Sequence, residues 1–287
     1  MPERRTKPRL LSIESPFPDA HSMLRLLEPP GTSRQGLLES LFEGTYDKPF
    51  IVDDGRRRYL HFDLDVVQSA MDMQHPARLA LAYTRKMMAF LLFNQAPGRI
   101  LLLGLGGGSL AKFCYGHLPS ALLTAIEANL DVIALRQEFG IPEDDHRFRV
   151  IHADGAAYIS DLAPCKNVIL ADACDRTGIA PQLDTMEFYR NARRCLAPGG
   201  VFVANVCGTP RSRAAHLVKL RDAFEDEILT LQVRTDGNLI VFAFKEAQPD
   251  LSWRRLEIRA TELKRRFGLQ FPRYVRRIAL DEKLHRW

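Results

Sequence analysis

The sequence predicts an α/β fold, a Rossmann-like domain with a mostly parallel sheet, preceded by a small unit of β-strands. Three observations carry this expectation. Between residues 99 and 205, short apolar runs alternate with helical patterns. Those runs are apolar almost throughout, as in strands covered by helices on both faces. The first of them, Arg99–Leu103, runs straight into Gly104-Leu105-Gly106-Gly107-Gly108, a turn that opens a helix at Ser109.

Along the chain, residues 1–43 mix charge, proline and glycine with few apolar positions and read as a tail or arm. Residues 44–75 read as a small antiparallel β-domain. Its strands are Phe50–Val52, Arg58–Phe62 and Val66–Ala70, with Asp53-Asp54-Gly55 as a hairpin turn. Three short strands cannot bury both faces alone, which predicts a subunit interface and a homodimer or higher homo-oligomer. Residues 76–249 form the main domain. A helix opens at Pro76, with Leu79, Tyr83, Met87, Phe90 and Leu91 at three- and four-residue spacing, and Ala96-Pro97-Gly98 ends it. Strands follow at Arg99–Leu103, Leu122–Ile126, Phe148–His152, Asn167–Ala171 and Val201–Asn205. Between them lie helices from Ser109, over Leu130–Glu138, Ala156–Leu162 and Thr185–Cys195. Arg213–Phe224 is helical, and Glu227–Arg234 and Asn238–Phe244 pair around Asp236-Gly237. Residues 250–287 read as a basic helical extension, solvated on one face.

Composition bounds the function. The 287 residues are 46% hydrophobic and 26% charged, enough apolar material to exclude a disordered chain. A net charge of +5 permits weak attraction to anions without indicating a nucleic-acid partner. No apolar run approaches the ~18 residues of a membrane span, and the N-terminus lacks the apolar run of a secretory signal. The 5 cysteines, Cys114, Cys165, Cys174, Cys195 and Cys207, stand singly. Their odd number and spacing argue against a disulfide framework or a zinc site and for a reducing cytoplasm.

The candidate chemistry sits at strand ends, where open parallel sheets bind ligands. Gly104 and Gly106 permit a tight turn and close approach of a ligand, and Gly108 allows the next helix to pack closely. No Gly-Lys-Ser/Thr follows, so this is not a Walker A loop. Glu127, about twenty residues on, can accept hydrogen bonds from both hydroxyls of a ribose, in a nicotinamide or an S-adenosyl ligand alike. Alternatively it caps the following helix. Asp154, followed by Gly155, is placed for an adenine amine or as an N-cap. Asp172 and Asp175 open a loop after the fourth core strand. Two carboxylates there can attract an ammonium group and take its proton. No histidine at useful spacing suggests a metal.

With these residues in view, the stretch from Phe50 to Phe244 resembles the spermidine synthase (polyamine aminopropyltransferase) family, a branch of the class I methyltransferase-like fold. The carrying motifs are Val67-Gln68, Glu127, Asp154-Gly155, Asp172-Ala-Cys-Asp175 with Gly178, Leu183 and Glu187-Phe188-Tyr189, and Leu196-Ala-Pro-Gly-Gly200. The resemblance implies aminopropyl transfer from decarboxylated S-adenosylmethionine to a small-molecule amine acceptor, releasing methylthioadenosine. It implies no tightly bound cofactor, the donor being a co-substrate. Gln68, Gly104, Gly106, Gly107, Gly108, Glu127, Asp154 and Gly155 would hold the nucleoside. Asp172 would be the base, Asp175 would help hold the acceptor, and Tyr83, Arg85 and Tyr189 would line the substrate site. Two departures place the chain in the spermidine-synthase-like subgroup. Gly107 stands where the family carries an Asp facing the donor's amine tail, and Tyr83-Thr84-Arg85-Lys86-Met87 replaces Tyr-His/Gln-Glu-Met. Added positive charge opposes a simple diamine, and Arg85 could meet a carboxylate, as on intact S-adenosylmethionine. The alternatives are therefore S-adenosylmethionine-dependent methyl transfer to a small molecule, and a non-catalytic nucleoside-binding or scaffold protein.

Overall fold

Two sheets organise the chain, and the way they meet positions the site. The computed structural model describes residues 10–16, 22–174, 178–235, 237–247 and 252–285. In the first sheet β1 (Leu11–Glu14), β2 (Met23–Leu26), β3 (Phe50–Asp53), β4 (Arg57–His61) and β5 (Val67–Asp72) pair antiparallel in chain order. Helix α1 (Arg34–Phe42) lies between β2 and β3, with Ser33 Oγ accepting from Gly36 N at its start. Residues 10–43 are therefore not simply a tail. They supply two four-residue strands and a helix, with β2 pairing to β3 and β1 pairing to β2.

The expected hairpin turn joins β3 to β4, where Asp54 Oδ1 accepts from Arg56 N and Arg57 N. Side chains of β3 alternate between faces, as a strand requires. Phe50 and Val52 pack with Leu24, Leu26, Leu37 and Leu41, whereas Ile51 joins Leu60 and Met71 in the main core. Both faces of the small sheet are thus covered within one chain, so burial alone does not demand a second subunit.

A buried ionic clasp ties this sheet to the main body. Arg58 donates to both carboxylate oxygens of Asp53, at 2.7 and 2.9 Å, and to Glu138 Oε2 at 3.0 Å. Arg25 approaches the same two acids, at 2.9 and 3.3 Å. Asp53 and Glu138 hold the Arg58 guanidinium more firmly charged than an isolated one.

The main domain begins with α2 (Ala82–Met87), continued by a 3-10 turn over Met88–Leu92. Its helix starts later than Pro76 because Asp72 caps a turn through Gln74 N and His75 N, and Leu79 bridges to Met71. There follow β6 (Arg99–Leu103), α3 (Ser109–His117), β7 (Leu122–Glu127), α4 (Leu130–Ala134), β8 (Phe148–His152) and α5 (Gly155–Ser160). The second half runs β9 (Lys166–Ala171), α6 (Met186–Cys195), β10 (Leu196–Val206), α7 (Pro210–Ala223), β11 (Ile228–Gln232) and β12 (Leu239–Phe244). The seven strands lie in the order β8-β7-β6-β9-β10-β12-β11, parallel from β8 to β10 and antiparallel beyond. This is the mostly parallel sheet of the class I methyltransferase-like fold.

Two amphipathic helices close the described chain, α8 (Trp253–Phe267) and α9 (Phe271–His285). Leu256, Ala260 and Leu263 of α8 and Phe271, Tyr274, Val275 and Ile278 of α9 share the core with Leu229, Leu231, Ile240 and Phe242 of β11 and β12. The basic extension therefore buries one face against the sheet and presents its cations on the other. Among the described residues no helix is long and apolar enough to cross a membrane.

Candidate active site

Strand order reverses between β6 and β9, which leaves a crevice outside their carboxyl ends. Leu103 lies in register with Ile126 and Ala171, and Ala171 with Ala204. One step further, Gly104, Glu127, Asp172 and Asn205 emerge along the same edge. A cavity of about 910 Å³ opens there, and all four residues line it. Its volume suits a small-molecule ligand.

At one end the lining suits a nucleoside. Gly104 has φ +92, and a Cβ there would overlap the Asp172 carbonyl oxygen, so only glycine lets the two loops abut. Leu105 N donates to Glu127 Oε2 and Asn129 N to Glu127 Oε1, each at 2.9 Å. The carboxylate is thereby fixed, and each oxygen retains a second lone-pair direction for a ribose hydroxyl. Capping of α4 falls to Asn129, whose Oδ1 accepts from Asp131 N and Val132 N. Asp154 does cap α5, accepting from Ala157 N at 2.8 Å, and lines the cavity with Gly155. Gln68, on β5, also lines it. Its Nε2 is buried without a hydrogen-bond partner, a donor that a bound ligand would satisfy.

Gly106 lines the cavity, whereas Gly107 and Gly108 sit behind it. A Cβ on Gly107 would come within 2.6 Å of Ser69 Oγ and 3.0 Å of Phe139 Cδ1. Phe139 is held in place, since the buried Lys112 donates to its carbonyl at 2.6 Å. Burial pushes that ammonium down to about 8. A side chain at position 107 requires Ser69 to turn its hydroxyl away and Phe139 to give way slightly.

The other end centres on Asp172. Its backbone N donates to Leu103 O at 2.9 Å, extending the β6–β9 ladder. Asn205 Nδ2 donates to Asp172 Oδ1 at 2.9 Å, and the Tyr83 hydroxyl donates to the same carboxylate. Burial raises the Asp172 carboxyl above the usual range, and the bonds from Asn205 and Tyr83 pull it partly back. A carboxylate that is raised yet oriented by two donors is suited to general-base work.

Other expected residues fall differently. Asp175 lies outside the described residues, as does Asp236 of the last predicted turn. Tyr189 does not line the cavity. It is 2% exposed, packed in the core with Phe188 and Phe202, and its hydroxyl donates to Asp184. Arg85 is likewise absent from the lining, its Nη1 donating to the carbonyls of Leu79 at 2.9 Å and Ala80 at 2.6 Å. Its charge is thus spent on the chain entering α2. The expectation of five unpaired cysteines is also corrected, since Cys174 and Cys207 are joined by a disulfide on the cavity wall. They are 33 residues apart in sequence, and the bond depends on two adjacent strand ends that spacing does not reveal. Asn205 and Ser69 were not anticipated. The signal for Asn205 was its position ending the strand beside that of Asp172.

Residues 81–226 match the spermine/spermidine synthase domain. The chain is 38% identical over 229 residues to the polyamine aminopropyltransferase of Chromobacterium violaceum, covering 79% of this chain and 88% of that one. In fold it is similar to a spermidine synthase solved with the transition-state analogue AdoDATO. The TM-score is 0.63 at 18% identity, over 84% of this chain and 85% of that one. Human methyltransferase-like protein 13 in complex with SAH is similar in fold too, with TM-score 0.59 and 24% identity over 66% of this chain and 93% of that one. The domain match and the identity over most of both sequences agree with the motifs at the cavity: the chain belongs to the spermine/spermidine synthase family.

Proposed function

We propose that this chain transfers an aminopropyl group from decarboxylated S-adenosylmethionine to a small-molecule amine, releasing methylthioadenosine. The observation that carries the reading is Asp172, a raised carboxyl held by Asn205 and Tyr83 at the opposite end of the cavity from Glu127 and Asp154. The acceptor enters as an ammonium ion and passes a proton to the Asp172 carboxylate. Its freed lone pair attacks the carbon beside the donor's sulfonium. The N–C bond forms, the C–S bond breaks, and the thioether leaves with the bonding pair. Because that leaving group is already good, positioning and exclusion of water supply most of the acceleration. Asp175 follows Cys174 in the chain and is assigned to orienting the acceptor. The test is an assay of decarboxylated against intact S-adenosylmethionine with a panel of amines. A methylated product from the intact donor, with no aminopropyl product from the other, would overturn the reading in favour of methyl transfer. That second reading has one observation in its favour, a glycine crowded by Ser69 and Phe139 at position 107 instead of a carboxylate.

Two expectations follow for the site. Glu127→Ala removes both ribose contacts and should weaken methylthioadenosine binding by about 2–4 kcal/mol. Calorimetry showing unchanged affinity would remove Glu127 from the nucleoside site. The Asp172 bonds govern pH dependence. The base acts when deprotonated, so activity rises as pH climbs through its pKa, which lies above the ordinary carboxylate value. Asn205→Ala deletes a bond that favours the charged form, so the ascending limb of the kcat/KM profile should move to higher pH. A limb that stays put would show that Asn205 does not tune the base.

A homodimer and a cytoplasmic location belong to the same proposal. Phe42 and Met73 stand exposed around the small sheet and support a subunit contact there. Sedimentation as a monomer at micromolar concentration would remove the dimer.

A further inference from the structure

The acceptor end of the cavity holds a feature that the transfer chemistry does not use. Cys174 lies two residues beyond Asp172, and Cys207 lies one residue beyond the end of β10. Their Cα atoms are 6.6 Å apart, their sulfurs are bonded, and both residues line the cavity. The other three cysteines are unbonded. Two of them, Cys114 and Cys195, are buried, and burial pushes the Cys114 thiol up to about 12. Only the 174–207 pair combines proximity with access from the cavity.

We propose that Cys174 and Cys207 form a reversible dithiol–disulfide site that sets the geometry of the acceptor end. This rests on the aminopropyl-transfer reading above. In the bonded form the segment after β9 is tied to the segment after β10. That tie flanks the Asn205–Asp172 hydrogen bond and immediately precedes Asp175 in the chain. Unbonded sulfurs must stand about 3.5–4 Å apart like other non-bonded heavy atoms, against about 2.05 Å in a disulfide. Reduction removes that tie and frees the two segments to shift, and a misplacement of about 1 Å is enough to disturb alignment of an amine for attack.

The surroundings accommodate both states. Cys174 Sγ lies 3.7 Å from the Asn205 carbonyl oxygen, so the thiol freed by reduction has an acceptor in reach. Asn205 Oδ1 is buried with no donor in the bonded form, and a freed S–H in this cluster can supply one. The oxidant is a small-molecule disulfide. One protein thiolate attacks it, one small thiol leaves, and the second protein thiolate displaces the other small thiol from the mixed disulfide. Two protein thiols thus lose two protons and two electrons, and the small disulfide is reduced to two thiols. The bonded form is the one with the tethered acceptor end, so it binds the amine more tightly.

The test uses the full chain, fully reduced and then oxidised with glutathione disulfide, with each state verified by intact mass and by peptide mapping. The bonded form should show a KM for the amine roughly ten-fold or more below that of the reduced form. Methylthioadenosine affinity should be equal in both, because Glu127 and Asp154 stand at the other end. The Cys174→Ser/Cys207→Ser double variant, compared with itself before and after oxidant, should show no change. Three results would overturn the proposal: no mapped 174–207 bond, a mapped bond with unchanged amine KM, or a double variant that still responds. If neither form transfers an aminopropyl group, the functional reading fails by itself. Calorimetry of putrescine binding in the presence of methylthioadenosine then decides the redox site, a difference between the forms supporting it and equality overturning it.

Discussion

Replacing Asp172 by Asn is expected to lower turnover by roughly 10²-fold or more while leaving methylthioadenosine affinity nearly intact. The amide keeps the shape of the carboxylate and loses the ionisable group. Asp172 is anchored from three directions. Its backbone N donates to Leu103 O, Asn205 donates to its Oδ1, and Tyr83 donates to the same carboxylate. A base so held remains within hydrogen-bond reach of a bound amine, which proton transfer requires. The proposal gives donor binding to Glu127, Asp154 and Gln68 instead, so the substitution should separate kcat from nucleoside affinity. Single-turnover kinetics with calorimetry measure both. A fully active Asp172→Asn protein would assign proton removal elsewhere and leave the carboxylate a structural part of the cavity floor.

The largest expected effect on stability comes from Arg58. Its side chain is 9% exposed and that of Asp53 is 7% exposed, so Arg58→Met leaves a buried carboxylate short of its bidentate partner. Breaking a buried pair from one side typically costs about 3–5 kcal/mol. Arg25 retains its 2.9 Å contact with Asp53, which argues for the lower part of that range. Removing both charges, as in Asp53→Asn with Arg58→Met, should recover part of the loss because no uncompensated charge remains. Denaturant titration of the single and double variants gives the comparison. A single variant that shifts stability by less than about 1 kcal/mol would place the attachment of the small sheet in its apolar contacts instead.

The sheet and the residues lining the Glu127 end of its cavity were legible because their signals are local. A buried strand followed by glycines, an acid closing the next strand and an acid opening α5 each announce a backbone position. Parallel register then brings Gly104, Glu127 and Asp172 to one edge without further information. Features made by contact between distant segments were not legible. Strands β1 and β2 have four residues each and become strands through pairing, β2 with β3 and β1 with β2. Motif spacing placed Tyr189 beside the substrate, whereas packing with Phe188 and Phe202 turns it into the core. Arg85 carried a charge that suggested a ligand, yet the nearest acceptors are carbonyls of its own chain. At Gly107 the missing acid looked like a lost function. Ser69 and Phe139 show that the space itself has been reassigned.

The helices α8 and α9 have a consequence for synthesis of the protein. They cover the face formed by Leu229, Leu231, Ile240 and Phe242, and they are translated after every strand of both sheets. A nascent chain can pair all its strands while that oily face is still bare to solvent or to a chaperone. Completion of the core then waits on a stretch of chain that contributes nothing to the cavity. Ribosome stalling or proteolytic clipping beyond β12 would leave an assembled sheet with a sticky flank, and quality control would meet this protein at that point.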